Sequence, residues 1–242
     1  MIKLLKSILP FKYKRKVKEK LGVPSLHWSL QNLKKKGFNP TTAADIGAFE
    51  GEWTINFLEV FPTAKILMVE PQLKKETILK NLCSQFPNVS YTSALLSSSS
   101  NKKVIFYENE TASHIQTDEV EINNLTNVPF SVTKTFDEIL DTLQFPYPEF
   151  LKLDVQGHEI EVLKGAEKAL AAAKVCMLEI SLILLDEGTP LAYDVMKFMD
   201  EADFQLYDIS QFMRRPFDKA LYQLDVLFVK KNSAWITDKR WN

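Results

Sequence analysis

Short runs in which nearly every position is apolar alternate along this chain with longer stretches whose apolar residues recur every three or four positions. Ala43 to Ile46, Lys65 to Glu70, Val89 to Leu96, Phe150 to Asp154, Val175 to Leu185, Phe204 to Ile209 and Leu224 to Val229 contain the short runs, which suit strands buried on both faces. Between them, Glu52 to Phe61 (apolar at Trp53, Ile55, Phe57, Leu58 and Phe61), Lys74 to Phe86, Phe136 to Leu143 and Glu159 to Leu170 (Ile160, Leu163, Ala166 and Leu170 on one face) have helical spacing. Thr189 and Pro190 form an N-cap and N1 pair that predicts a further helix to about Ala202. Alternation of strand and helix predicts the α/β class: one doubly wound sheet of about seven core strands, largely parallel, with crossover helices.

Two segments depart from this rhythm. Residues 97–148 begin with a polar turn, Ser97 to Asn101, followed by a strand-like Lys103 to Tyr107 and a polar stretch, 109–128, without periodicity. Too few apolar residues occur there for a separate core, so the segment reads as an insertion, and such loops beside a rigid sheet are where substrate contacts collect. Residues 1–36 form a basic arm: eleven Lys and Arg against the single acid Glu19, a net of +10, which leaves −11 for residues 37–242 of a chain whose total is −1. Apolar and basic residues alternate over 1–21 at spacing suited to an amphipathic helix broken at Pro10. Its two readings are a foot on an anionic membrane surface and a solvated arm packed on its own domain.

The balanced total argues against nucleic acid as a partner of the whole surface. Cys83 and Cys176 each lie in an apolar stretch and read as buried thiols, and the three histidines (His27, His114 and His158) make no zinc spacing with them. Lys3 and Lys6 interrupt the apolar residues at the start, so neither a signal peptide nor a membrane span is expected, and the default location is cytoplasmic.

Candidate chemistry gathers at strand ends, the edge of an open α/β sheet where ligands bind. Asp45, Ile46, Gly47, Ala48, Phe49, Glu50 and Gly51 form a glycine loop of G-x-x-x-G spacing, not the dinucleotide fingerprint. A carboxylate before the first glycine would repel a pyrophosphate and suits a cationic group. Glu70 ends the next strand, where a carboxylate can accept hydrogen bonds from ribose hydroxyls. A cofactor with an amino acid end and a ribose fits this set: S-adenosylmethionine. The plain alternative for the glycine loop is a structural turn. Asp154 can orient an acceptor, remove its proton, hold a divalent ion or simply cap the following helix. Glu179, a carboxylate inside an apolar strand, calls for a partner or a purpose; Lys152 is the candidate partner. His158, in the turn after Asp154, is a base near neutral pH or an exposed loop residue. Magnesium held by Asp154 and Glu179 is a candidate that their sequence positions alone do not support. Tyr193 and Lys197 fit the Tyr-x-x-x-Lys of short-chain dehydrogenases, without the glycine loop those enzymes need.

Asp45-Ile46-Gly47-Ala48-x-x-Gly51, then Lys152-Leu153-Asp154-Val155-Gln156-Gly157-x-Glu159 running on to Gly165-Ala166, and Met177-Leu178-Glu179-Ile180, together resemble the FkbM family of S-adenosylmethionine-dependent methyltransferases. Val69-Glu70-Pro71 and Thr135 to Leu140 are also similar, so the resemblance spans roughly Thr41 to Ser181. It implies a seven-stranded Rossmann-like sheet, mostly parallel with the last strand antiparallel, and O-methylation, often of sugar hydroxyls in glycans, lipid-linked saccharides or secondary metabolites. By the same motifs, Asp45, Gly47, Ala48, Gly51 and Glu70 would bind the cofactor, Ser93 and Ala94 would meet its adenine, and Asp154 would stand near the transferred methyl. Phe49 occupies a place where the family has Asn; its ring would narrow the site or stack on the ligand. A silent module of the same fold, binding a membrane surface or a partner, is the competing reading.

Overall fold

The computed structural model describes residues 21–107, 114–116, 130–184 and 188–241. The amphipathic helix expected in residues 1–21 thus falls almost entirely outside the described residues. Helix α1 (Leu26–Lys35) leads into β1 (Thr42–Ile46), α2 (Glu52–Val60), β2 (Lys65–Val69), α3 (Glu76–Gln85), entered by a short 3-10 turn, and β3 (Val89–Thr92). Then come β4 (Leu95–Leu96), β5 (Lys103–Tyr107), β6 (His114–Gln116), β7 (Ser131–Lys134) and α4 (Phe136–Leu143). β8 (Phe150–Leu153), α5 (Glu159–Lys164), α6 (Glu167–Ala172), β9 (Val175–Ser181), α7 (Ala192–Glu201), β10 (Phe204–Arg214), β11 (Leu221–Lys230) and α8 (Ala234–Thr237) complete the order.

Seven strands form one sheet in the order β10-β11-β9-β8-β1-β2-β3. All neighbours are parallel except that β11 runs antiparallel to both β9 and β10. The expected α/β class, the doubly wound sheet and its antiparallel last strand are all present. Side chains of successive strand residues enter opposite layers, as the two-residue period requires. Ala44, Leu67, Val69, Leu151 and Leu178 join α4, α5, α6 and α7 in one core, whereas Ala43, Ile66, Met68, Phe150 and Met177 join α1, α2 and α3 in the other. Burial on both faces is why these strands read as continuous apolar runs.

Two helix boundaries correct the sequence reading. The helix expected from Glu159 to Leu170 is two: α5 ends at Gly165 and α6 restarts at Glu167. A side chain on Gly165 would lie 2.1 Å from the Ser97 carbonyl oxygen, and Asp137, from α4, caps α6 through the Lys168 and Ala169 amides at 2.8 and 3.0 Å. Tertiary contacts make that break, not local propensity. The later helix is capped at Leu191, not Thr189; the Asp194 carboxylate accepts from the Leu191 amide at 3.0 Å. Within residues 97–148, β5, β6 and β7 join β4 in a small sheet of order β4-β7-β5-β6 beside the main one.

Candidate active site

β8 and β1 are neighbours, yet the chain winds outward from them in opposite directions, so the carboxyl ends of these strands mark the switch point of the sheet. A cleft opens there. Gly47, Phe49, Glu70, Gln72, Asp154, Gln156 and His158 line it together with the apolar side chains of Ile46, Val69, Leu95, Leu96, Phe106 and Val155, plus Ala94. Phe106 comes from β5, so the insertion closes one side.

The two loops at the switch point touch. Gly47 has φ +73, and a Cβ there would meet the Asp154 carbonyl oxygen at 1.9 Å, so only glycine permits this approach. Beneath them Lys152, 6% exposed, opposes Asp45 across the β1–β8 pair. Its Nζ donates to the Gly47 carbonyl at 2.7 Å and lies 3.0 Å from Asp45 Oδ1 and 3.9 Å from Asp154 Oδ2. Burial presses this ammonium towards neutrality, but Asp45 and then Asp154 outweigh it and raise its pKa. Asp45 is fully buried, accepts from the Thr54 hydroxyl at 2.7 Å and does not line the cleft. The Asp45 carboxylate is thus engaged by the protein's own Lys152 and Thr54, beneath the cleft.

Glu70 does line the cleft. It is 3% exposed, and its two oxygens accept from the Phe49 and Gln72 amides at 2.8 and 3.0 Å. Burial raises its pKa against these bonds. Each carboxylate oxygen retains acceptor capacity on the cleft side. Phe49 sits at φ +50, and its ring packs under Lys75 Nζ, 3.8 Å from the ring centroid. Gly51, at φ +80, opens α2; a Cβ there would meet Leu82 at 2.5 Å, so this glycine serves helix packing behind the loop. Ala94 lines the cleft; Ala48 and the exposed Ser93 do not.

Beyond Asp154 the chain turns through two left-handed residues, Gln156 at φ +54 and Gly157 at φ +91. The side chain of Glu159 folds back under this turn and accepts from the Val155 and Gly157 amides at 3.1 and 3.2 Å. Fully buried, its carboxyl is pushed up to about 7. Asp154 does not cap the following helix, since His158 holds that position. Instead the Gln156 side-chain amide donates to Asp154 Oδ1 at 2.8 Å and to Glu179 Oε2 at 3.1 Å. Gln223, from β11, donates to the same Glu179 oxygen at 3.0 Å. Glu179 is therefore held by two amides and not by the lysine expected from the sequence. Burial first, then the neighbouring Asp154 and Asp225, push its carboxyl up to about 9, so it carries a proton at neutral pH. Asp225, opposite Glu179 in the β9–β11 pairing, is raised by burial to about 6. His158 Nε2 lies 3.0 Å from the Ser97 hydroxyl, and burial holds its pKa below the ordinary imidazole value.

The structure thus brings Gly47, Glu70, Ala94, Asp154 and His158 into one cleft, with Glu179 behind Asp154 and Asp45 below. Asp154 and Glu179 meet through an amide, and among the described residues no group of three or more His, Cys, Asp and Glu is placed to hold a metal ion. Tyr193 is 73% exposed on α7, away from the cleft, so the dehydrogenase-like pair is a surface coincidence. Sequence reasoning missed Gln156, Gln223, Glu159 and the Asp45 partnership of Lys152. A lysine flanked by leucines in a fully apolar strand was the available signal for the last.

A family model described as the methyltransferase FkbM domain matches residues 45–206. Hexuronic acid methyltransferase AglP of Haloferax volcanii is 43% identical over 44 residues, which cover 18% of this chain and 18% of that protein. Among solved structures, methyltransferase FkbM from Methylobacillus flagellatus KT aligns at 18% identity and a TM-score of 0.48, covering 77% of this chain and 43% of that one. A precorrin-6y C5,15-methyltransferase from Geobacter metallireducens GS-15 aligns at 14% identity and a TM-score of 0.49, over 84% of this chain and 85% of its own. The chain therefore spans less than half of the first structure, and the curated match is confined to a fifth of either sequence.

Proposed function

We propose, given that this chain belongs to the FkbM family of S-adenosylmethionine-dependent methyltransferases, that it transfers a methyl group to a hydroxyl oxygen of a sugar. The observation that carries this reading is the cleft at the switch point, with Glu70 and Asp154 on either side of β1. The partial likeness to a hexuronic acid methyltransferase favours a sugar, a glycan unit or another saccharide as acceptor.

The residues present suit the cofactor. Glu70 offers carboxylate acceptors for ribose hydroxyls, the Gly47 loop lets a ligand approach backbone, and Val69, Leu95, Leu96 and Phe106 supply an apolar wall for a base. When bound, S-adenosylmethionine supplies a methyl group on a sulfonium, activated for in-line displacement. The protein then has two tasks: aligning the acceptor oxygen and removing its proton. Asp154 orients the hydroxyl and takes its proton, and Gln156 fixes the carboxylate that does so. His158, held in its neutral form by burial at pH 7, is the second acceptor for that proton. Glu179 is protonated there, so it serves as an anchor for Gln156 and not as a base.

Calorimetric titration with S-adenosylmethionine, its demethylated product and NAD comes first. Binding of the first two and not the third is expected; no binding of either sulfur compound would overturn the reading. Transfer of a radiolabelled methyl group to hexuronic acids and neutral sugars then tests the acceptor class. Binding without transfer to any acceptor would favour the silent module.

A further inference from the structure

Towards the tip end of the β10–β11 hairpin, Gln223 and Asp225 reach the site behind the cleft, Gln223 through its bond to Glu179 and Asp225 opposite it. Past Ser181, the last residue of β9, the hairpin runs on: the Leu182 amide donates to the Tyr222 carbonyl at 2.8 Å and Arg214 pairs with Leu221. Because β10 runs with the parallel strands, this extension stands beyond the carboxyl edge of the sheet, the edge that holds the cleft.

The tip has a composition of its own. Phe212 and Met213, level with Ile180 and Ser181 where the extension starts, are 42% and 49% exposed, and Phe217, in the turn beyond, is 90% exposed. Arg214, Arg215 and Lys219 face the single acid Asp218, a local +2 in a body, residues 37–242, that carries −11. The turn is shaped by its own bonds: Arg215 grips Asp218 through two nitrogens, at 3.1 and 2.5 Å, and Arg214 donates to the Lys219 carbonyl at 3.0 Å. The guanidinium groups of Arg214 and Arg215 lie 5.7 and 5.8 Å from the ring centroids of Phe212 and Phe217.

We propose that this tip is an interfacial contact that seats the cleft edge of the protein on an anionic lipid surface. Exposed rings beside cations are the pairing that a headgroup layer accepts, apolar bodies inward and charges among the phosphates. A second copy of the chain fits less well, because a two-fold contact sets the same cations against each other. A nucleic acid would leave the apolar side chains without a partner. The contact does not depend on the methyl-transfer reading. Where that reading holds, a saccharide anchored in lipid would reach the cleft from the same side.

The test is co-sedimentation of the full chain with vesicles of phosphatidylcholine alone and with phosphatidylglycerol added. The parent protein is expected on the anionic vesicles only. At about fivefold per cation near such a surface, Arg214→Gln with Lys219→Gln should lower partitioning more than about tenfold. Phe212→Ser with Phe217→Ser should lower it comparably, and thermal unfolding of both pairs is recorded so that partitioning is compared where each is folded. Variants that bind like the parent would assign binding to the basic segment 1–20 and overturn the proposal. So would a parent that binds no anionic vesicle, or one that dimerises in light scattering while the phenylalanine pair stays monomeric. If one pair fails to fold, the other decides.

Discussion

At the scale of single residues, Gln156 separates two carboxyl groups that would otherwise meet. Its amide points one donor at Asp154 and another at Glu179, at 2.8 and 3.1 Å, and its left-handed backbone aims it there. Removing the amide leaves both carboxyl groups in place but takes away the donor that holds Asp154, which is then free to rotate. A misplacement of about an ångström is enough to slow an aligned reaction roughly a hundredfold. Gln156→Ala is therefore expected to lower kcat about ten- to hundredfold while the cofactor Kd, read by calorimetry, stays nearly constant. Asp154→Ala should abolish turnover with cofactor affinity again little changed. Near-normal turnover in Asp154→Ala would remove that residue from the chemistry.

Elements explain why some of this was legible in the chain. Glu70 and Asp154 were readable because each ends a short apolar run, and a buried parallel strand that stops in an acid has its carboxyl end at the ligand edge. The expected pair of Lys152 and Glu179 failed for a topological reason. Strand register sets Lys152 opposite Asp45, and the insertion of β11 between β9 and β10 delivers Gln223 to Glu179. Neither neighbour relation is written in local sequence. The glycines divide in the same way: G-x-x-x-G looked like one ligand loop, but Gly47 meets β8's loop and Gly51 meets α3. Gly47→Ala must push the β1 and β8 loops apart, beyond the roughly 1–2 kcal/mol that a left-handed alanine costs. It should lower urea stability by more than that and weaken S-adenosylmethionine more than about tenfold. Gly37, at φ +90 with nothing within 4 Å of an added Cβ, provides the contrast: Gly37→Ala should cost the backbone strain alone and leave cofactor affinity intact.

For the whole molecule, the cluster behind the cleft links folding to pH. Glu179, Glu159 and Asp225 keep protons in the folded chain up to about 9, 7 and 6, against ordinary values of 4.5, 4.5 and 3.8. A carboxyl raised in this way gives its full stability below the unfolded pKa. That contribution is lost as pH rises towards the folded one, because the unfolded chain has already released the proton. All three act together near pH 5, where His158, with its lowered pKa, works in the opposite sense. Between pH 7 and 9 Glu179 changes alongside the tail of Glu159 and the thiols of Cys83 and Cys176, which burial raises, so its own part is read as the difference between the parent and a variant that lacks it. Urea unfolding at pH 7, 8 and 9 should show the parent protein losing stability, with at most about 1.4 kcal/mol per pH unit of that loss due to Glu179. Glu179→Gln keeps a neutral side chain in the same amide cradle at every pH, so that part of the slope should vanish and the variant should gain on the parent from pH 7 to 9. A parent profile parallel to that of the variant would mean that Glu179 is already ionised at pH 7. It would then repel Asp154 instead of anchoring it, and the division of roles between the two carboxyl groups would fall with it.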